Sequence, residues 1–140
     1  MAAAAPYAGR LVWPCDPMHG NTVRHASGLK TRVMADMRAE VERFFAVLRA
    51  GGAVPGGLHL EMTPDDVTEC VDDHRALRDP LALPRYASTC DPRLTTAQAE
   101  SLLEAALACL PRTTSEAVPD VPAASRTARP AALPGKDTAS

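Results

Sequence analysis

Three short stretches of this chain begin like buried strands and end beside a side chain able to hold a cation. Residues 10–15, RLVWPC, run toward His19; residues 56–63, GGLHLEMT, contain Glu61; residues 85–90, RYASTC, stop just before Asp91. Helical spacing fills the gaps between them, so the chain reads β-α-β-α-β-α. Strands alternating with helices form parallel βα units, and that restricts the fold class to α/β. It also carries the carboxyl ends of the strands to one face of the sheet.

The clearest predicted helix covers residues 31–50. Met34, Met37, Val41, Phe44, Phe45 and Leu48 recur at helical intervals, with most charged residues off that stripe. Gly51-Gly52 suits its end. In residues 56–63 the apolar Leu58, Leu60 and Met62 alternate with His59, Glu61 and Thr63. Thr63-Pro64-Asp65-Asp66 then resembles a helix start, and a short helix is expected to about Val71. The spacing Thr95-x-x-Gln98 suggests a capping box. The helix it opens is predicted to reach Leu110, with Leu103, Ala106, Leu107 and Leu110 as its apolar stripe.

Residues 1–110 are read as one modest domain. From Pro111 onward Pro, Ala, Ser and Thr dominate, and residues 111–140 are predicted to form a disordered tail. A formal net charge of −2 gives no electrostatic case for a nucleic-acid partner. No apolar run approaches the ~18–20 residues that span a bilayer. The start lacks the basic n-region of a secretion signal, and the four cysteines lack C-x-x-C spacing. The expectation is therefore a cytoplasmic chain with reduced thiols and no membrane partner.

His19, Glu61 and Asp91 stand 42 and 30 positions apart. Each interval is near one βα repeat of a barrel in which ~250 residues make eight units. Strand ends so spaced bring an imidazole and two carboxylates together, a donor set for Mn²⁺, Mg²⁺, Fe²⁺ or Zn²⁺. Each residue also has a plainer role: a loop hydrogen bond for His19, a solvated strand position for Glu61, an Asp-Pro turn for Asp91. Lys30, Arg32 and Arg93 follow strand ends, where a phosphate could dock, although basic loop residues are commonly just solvated. His59 shares the Glu61 face. His25 and His74 are expected to be exposed, Cys15 and Cys90 to adjoin the site, and Cys70 and Cys109 to pack within helices.

The stretches WPCDPMHGNT, SGLKTR, GGLHLEMTPDDVTEC and RYASTCDPRL together resemble the carboxyl-terminal part of class II 3-deoxy-D-arabino-heptulosonate 7-phosphate (DAHP) synthases, over roughly residues 9–110. The resemblance implies the last three βα units of a TIM (β/α)₈ barrel, an incomplete barrel on its own. It implies a divalent metal, Mn²⁺ first, with Co²⁺, Mg²⁺, Fe²⁺ or Zn²⁺ as alternatives. It assigns His19, Glu61 and Asp91 as metal ligands beside a cysteine from an earlier part of the family sequence. It implies phosphoenolpyruvate and erythrose 4-phosphate as substrates, joined in the first step of the shikimate route to aromatic amino acids.

The departures are specific. Thr63-Pro64 stands where the family has Thr-Gly, Ala87-Ser88 where it has Glu-Thr, and Thr95 where it has Asn. Nothing here matches the earlier strands, with their cysteine ligand and most of the phosphate-binding cations. Two readings follow. One is a synthase fragment or one half of a split enzyme, inactive alone and dependent on self-association or on a chain supplying the missing strands. The other is a non-catalytic remnant or an interaction module that docks on a full-length synthase.

Overall fold

The computed structural model describes residues 11–111. Four strands and two α-helices occur among them, besides two short 3₁₀ turns: β1 (Trp13–Cys15), β2 (Thr22–Arg24), β3 (Lys30–Arg32), α1 (Met34–Ala50), β4 (Pro55–Leu58) and α2 (Thr96–Cys109). The architecture is mixed α/β, with two small sheets and two packed helices. The expected tail, residues 111–140, falls outside the described residues but for Pro111.

β1 and β4 pair in parallel, Cys15 opposite Leu58, with a register irregularity between Trp13 and Pro14. Gly56, in β4, packs tightly on the neighbouring strand: a Cβ there would stand 3.2 Å from the Trp13 amide nitrogen and would displace the exposed Val12 side chain. The pairing matches the expected parallel crossover with α1 between the strands. A third paired strand over residues 85–90 does not form. Amides that would pair with a neighbour go elsewhere: those of Ala87 and Ser88 donate to the Glu69 carboxylate, and that of Cys90 to Ser88 Oγ. Regular pairing appears only at Leu94, which forms a parallel bridge with Met62.

β2 and β3 form an antiparallel hairpin, Val23 opposite Thr31. No regular element is expected from the sequence between residue 15 and the helix, so the hairpin is an addition, and it moves the start of α1 from Thr31 to Met34. Gly28 closes the connection at φ 86°, beyond the easy reach of other residues. α1 has no capping side chain. Instead its first amides, on Met34 and Ala35, donate to the carbonyls of Val71 and Asp72. Its far end turns through Gly52 at φ 67°.

Residues 64–71 are not helical. Thr63 Oγ1 accepts from the Asp65 amide and donates to the Asp65 carboxylate, a local turn that competes with helix. The amides of Thr68 and Val71 then reach the carbonyls of Arg85 and Arg32. Cys70 therefore sits in an irregular segment rather than a helix, buried against Met18, Met34, Met37, Leu94, Ala99 and Leu102.

α2 begins with the complete Thr95–Gln98 capping box. Its buried face is Ala99, Leu102, Ala105 and Ala106. Leu103 and Leu107 face solvent, so the expected stripe is rotated by about one position, with Ala106 alone shared. The small residues let α2 approach α1, whose Val41 and Phe45 pack on Ala106 and Cys15. Five of the six stripe residues predicted for α1 are buried and Phe44 is half-buried. They are covered more fully than an isolated open sheet would allow, because α2 and the 64–71 segment close over them.

Candidate metal centre

The chain leaves β1 through Asp16, whose carboxylate accepts from the amides of Met18 (3.0 Å) and His19 (3.2 Å). This fixes a short 3₁₀ turn, His19–Asn21. The same carboxylate takes His19 Nδ1 at 2.7 Å. A carboxylate only accepts, so Nδ1 donates this bond, and Nε2 is the ring nitrogen left to face the other carboxylates. Partial burial opposes ionisation of Asp16, yet the His19 and Met18 amides and the imidazole hold its carboxyl below the usual range.

His19 Nε2 lies 3.3 Å from Glu61 Oε1. An imidazole lone pair facing a carboxylate oxygen is satisfied by a proton or a cation between them. His19, Glu61 and Asp91 each offer a ligand atom within 4.8 Å of the others. One nitrogen and two anionic oxygens at that separation fit a divalent cation of the Mn²⁺ or Zn²⁺ type. Asp16 would be the outer carboxylate that orients a metal-ligating histidine. A second trio, Asp16, His19 and His59, meets the same limit. There, however, Asp16 is already spent on His19, and the two rings stack with centroids 5.8 Å and planes 26° apart.

The phosphate candidates fall into two groups. Lys30 Nζ donates to Asp91 Oδ1 at 2.8 Å, and that bond holds the Asp91 carboxyl below its ordinary range and raises the lysine. Arg32 is fully buried and donates to Glu61 Oε2 (2.6 Å), Thr22 Oγ1 (3.0 Å) and the Pro92 carbonyl. Among the described residues its Nη2 is a buried donor with no acceptor, a state that costs about 1–3 kcal/mol. Both cations thus stand at the cluster, ion-paired rather than merely solvated. Arg93 is different: its guanidinium turns away to Glu69, with Nη2 2.7 Å from Oε1 and Nε 3.0 Å from Oε2.

Glu69 was missed by sequence reasoning. The residue is 1% exposed, in a stretch read only as a short helix. Its partner is 24 positions away, beyond any local pattern. His25 also departs from expectation. It is buried, not exposed, and ties the hairpin turn to the carbonyls of Ala76 and Asp79 and to Ser27. His74 is exposed, near Asp36. Cys15 and Cys70 are buried, and burial pushes their thiols up to about 11 and about 12. Cys90 is exposed, its Sγ 3.8 Å from Asp91 Oδ2.

Residues 2–108 match the class-II DAHP synthetase family. Over 93 residues the chain is 44% identical to phospho-2-dehydro-3-deoxyheptonate aldolase AroG of Mycolicibacterium smegmatis, an alignment covering 66% of this chain and 20% of that protein. Over 92 residues it is 47% identical to phospho-2-dehydro-3-deoxyheptonate aldolase of Streptomyces coelicolor, with the same coverage of 66% and 20%. The chain therefore spans about a fifth of the length of these curated relatives. No helix among the described residues is long and apolar enough to cross a membrane. The family match takes in all three strand-end motifs, and the chain belongs to the class-II DAHP synthetase family.

Proposed function

We propose that this chain forms the metal-binding face of a DAHP synthase-type (β/α)₈ barrel, its last three βα units, and serves the condensation of phosphoenolpyruvate with erythrose 4-phosphate. The observation that carries this is the meeting of His19, Glu61 and Asp91 within 4.8 Å, from three separate stretches of sequence. A divalent cation held there supplies Lewis-acid polarisation of an aldehyde oxygen and a template for the reacting groups.

The chain's own residues prepare that role. Asp16 holds His19 by Nδ1 and so keeps Nε2 facing Glu61. Lys30 and Arg32 balance the charge of Asp91 and Glu61. Arg32 Nη2 is a desolvated donor, suited to an anionic oxygen arriving beside the cluster. Holding two phosphorylated substrates in attack geometry takes more fixed cations than these. Exposed apolar residues flank the β1–β4 pair, with Val12 at 75% and Val54 at 79%, surface that further barrel strands would cover.

The test is a complementation assay. The purified chain, given phosphoenolpyruvate, erythrose 4-phosphate and Mn²⁺, should release no phosphate above background. A chain carrying the amino-terminal strands of the barrel should restore turnover, and His19→Ala should remove it. Activity of the lone chain that survives His19→Ala would defeat the proposal. Binding to a full-length synthase without any restored turnover would favour the non-catalytic interaction module.

A further inference from the structure

We infer that Glu69 is a positioning residue for Asp91: its buried carboxylate is the template on which the 87–93 segment is laid, and so sets where the third ligand stands. The inference rests on the metal-centre reading above and adds a residue to it.

The side chain of Glu69 has no exposed surface. Oε1 accepts from the amides of Ala87 (3.2 Å) and Ser88 (2.7 Å) and from Arg93 Nη2 (2.7 Å). Oε2 accepts from the Arg93 amide (2.8 Å) and Arg93 Nε (3.0 Å). All five donors come from three residues of one segment, Ala87 and Ser88 before Asp91 and Arg93 after it. The segment has no strand or helix of its own. Ser88 Oγ continues the lacing by donating to the Asp91 carbonyl at 2.7 Å and accepting from the Cys90 amide. The acceptor is itself fixed, since the Glu69 carbonyl takes Thr31 Oγ1 at 2.8 Å and its neighbour Cys70 is locked in the core. A loop carrying a ligand thus borrows its rigidity from one carboxylate that never faces the site. Outer groups that orient ligands typically change metal affinity 10–100-fold when altered.

The experiment is Mn²⁺ titration of the full chain by electron paramagnetic resonance, together with amide hydrogen exchange. Glu69→Gln keeps the shape but puts an N–H₂ where two or three donors converge. It should weaken Mn²⁺ by about tenfold or more. The amides of Ala87, Ser88 and Arg93 should exchange faster, while those of α1 and α2 keep their protection. Placed in an Asp91→Asn background, the same change should cost Mn²⁺ binding nothing further, because its effect passes through Asp91. Wild-type Mn²⁺ affinity in Glu69→Gln, or a full additional loss in the Asp91→Asn background, would overturn the inference. Should Glu69→Gln fail to fold, Arg93→Lys decides. It keeps the charge and loses the fork, so a severalfold weaker Mn²⁺ is expected and an unchanged affinity overturns. Should the wild-type chain bind no Mn²⁺, the metal reading fails by itself. Amide exchange in Glu69→Gln then judges the template: faster exchange confined to residues 87–93 upholds it, and unchanged exchange overturns it.

Discussion

A single hydrogen bond decides which nitrogen His19 offers. Asp16 holds Nδ1 at 2.7 Å, so Nε2 faces Glu61. Asp16→Asn can present a donor in place of the carboxylate and allow the other tautomer. Mn²⁺ affinity should fall roughly tenfold, read by the same titration, while the urea midpoint moves little because Asp16 is solvent-accessible. Thiol chemistry gives a second check at this scale. Cys90 is exposed, whereas burial lifts Cys15 to about 11 and Cys70 to about 12. A thiol reagent at neutral pH should label Cys90 rapidly in the folded chain, and Cys15 and Cys70 only after denaturant is added. Glu69 supplies the pH dependence. Burial raises its carboxyl, but the Arg93 and backbone bonds outweigh this and hold it below the usual 4.5. A depressed folded value means its stabilisation is whole above the unfolded value and lost as pH falls through the folded one. The urea midpoint of the wild type should therefore drop more than that of Glu69→Gln between about pH 5 and pH 3.

At the scale of elements, local signals were reliable where local forces decide. The α2 start was legible because Thr95 and Gln98 satisfy each other's backbone amides within one turn. The capping hydroxyl should be worth about 1 kcal/mol, so Thr95→Ala should lower stability by that amount in a denaturant series. Leu102, fully buried on the same helix, should cost about 2–5 kcal/mol as Leu102→Ala. Elsewhere distant partners overrode local preference. Thr63-Pro64-Asp65-Asp66 has the composition of a helix start, yet its downstream amides found carbonyls of Arg85 and Arg32. The hairpin did leave a trace: Thr22-Val23-Arg24 and Lys30-Thr31-Arg32 flank a connection containing Gly28, a recognisable turn signal. The three proposed ligands were singled out because each stands in or just after a stretch read as a strand, at βα spacing, although the last of those strands does not form. Glu69 was not, because burial of a carboxylate is decided by an arginine on another segment.

For the whole molecule, the two helices and the crossover sheet enclose a core from Cys15 to Ala106, but the sheet is only two strands wide. Val12, Val54 and Leu81 are each at least 75% exposed. A chain of this shape should self-associate at raised concentration, seen as a sedimentation coefficient that climbs with loading in the ultracentrifuge, unless a partner covers that surface. A single cooperative thermal transition from a clean monomer would contradict this.

The opening turn of α1 has a bearing on the order in which the molecule assembles. Its free amides are met not by a nearby side chain but by the carbonyls of Val71 and Asp72, far along the chain. While the protein is being synthesised, α1 can therefore coil in its middle long before its first turn is anchored. The anchoring segment leads directly out of Glu69 and Cys70 toward the loop that bears Asp91. The stretch from Val71 to Asp91 thus both pins the helix and delivers the final carboxylate. A ribosome-stalled chain ending before residue 71 should show α1 protected at its centre and frayed at Met34, with the cation cluster not yet formed.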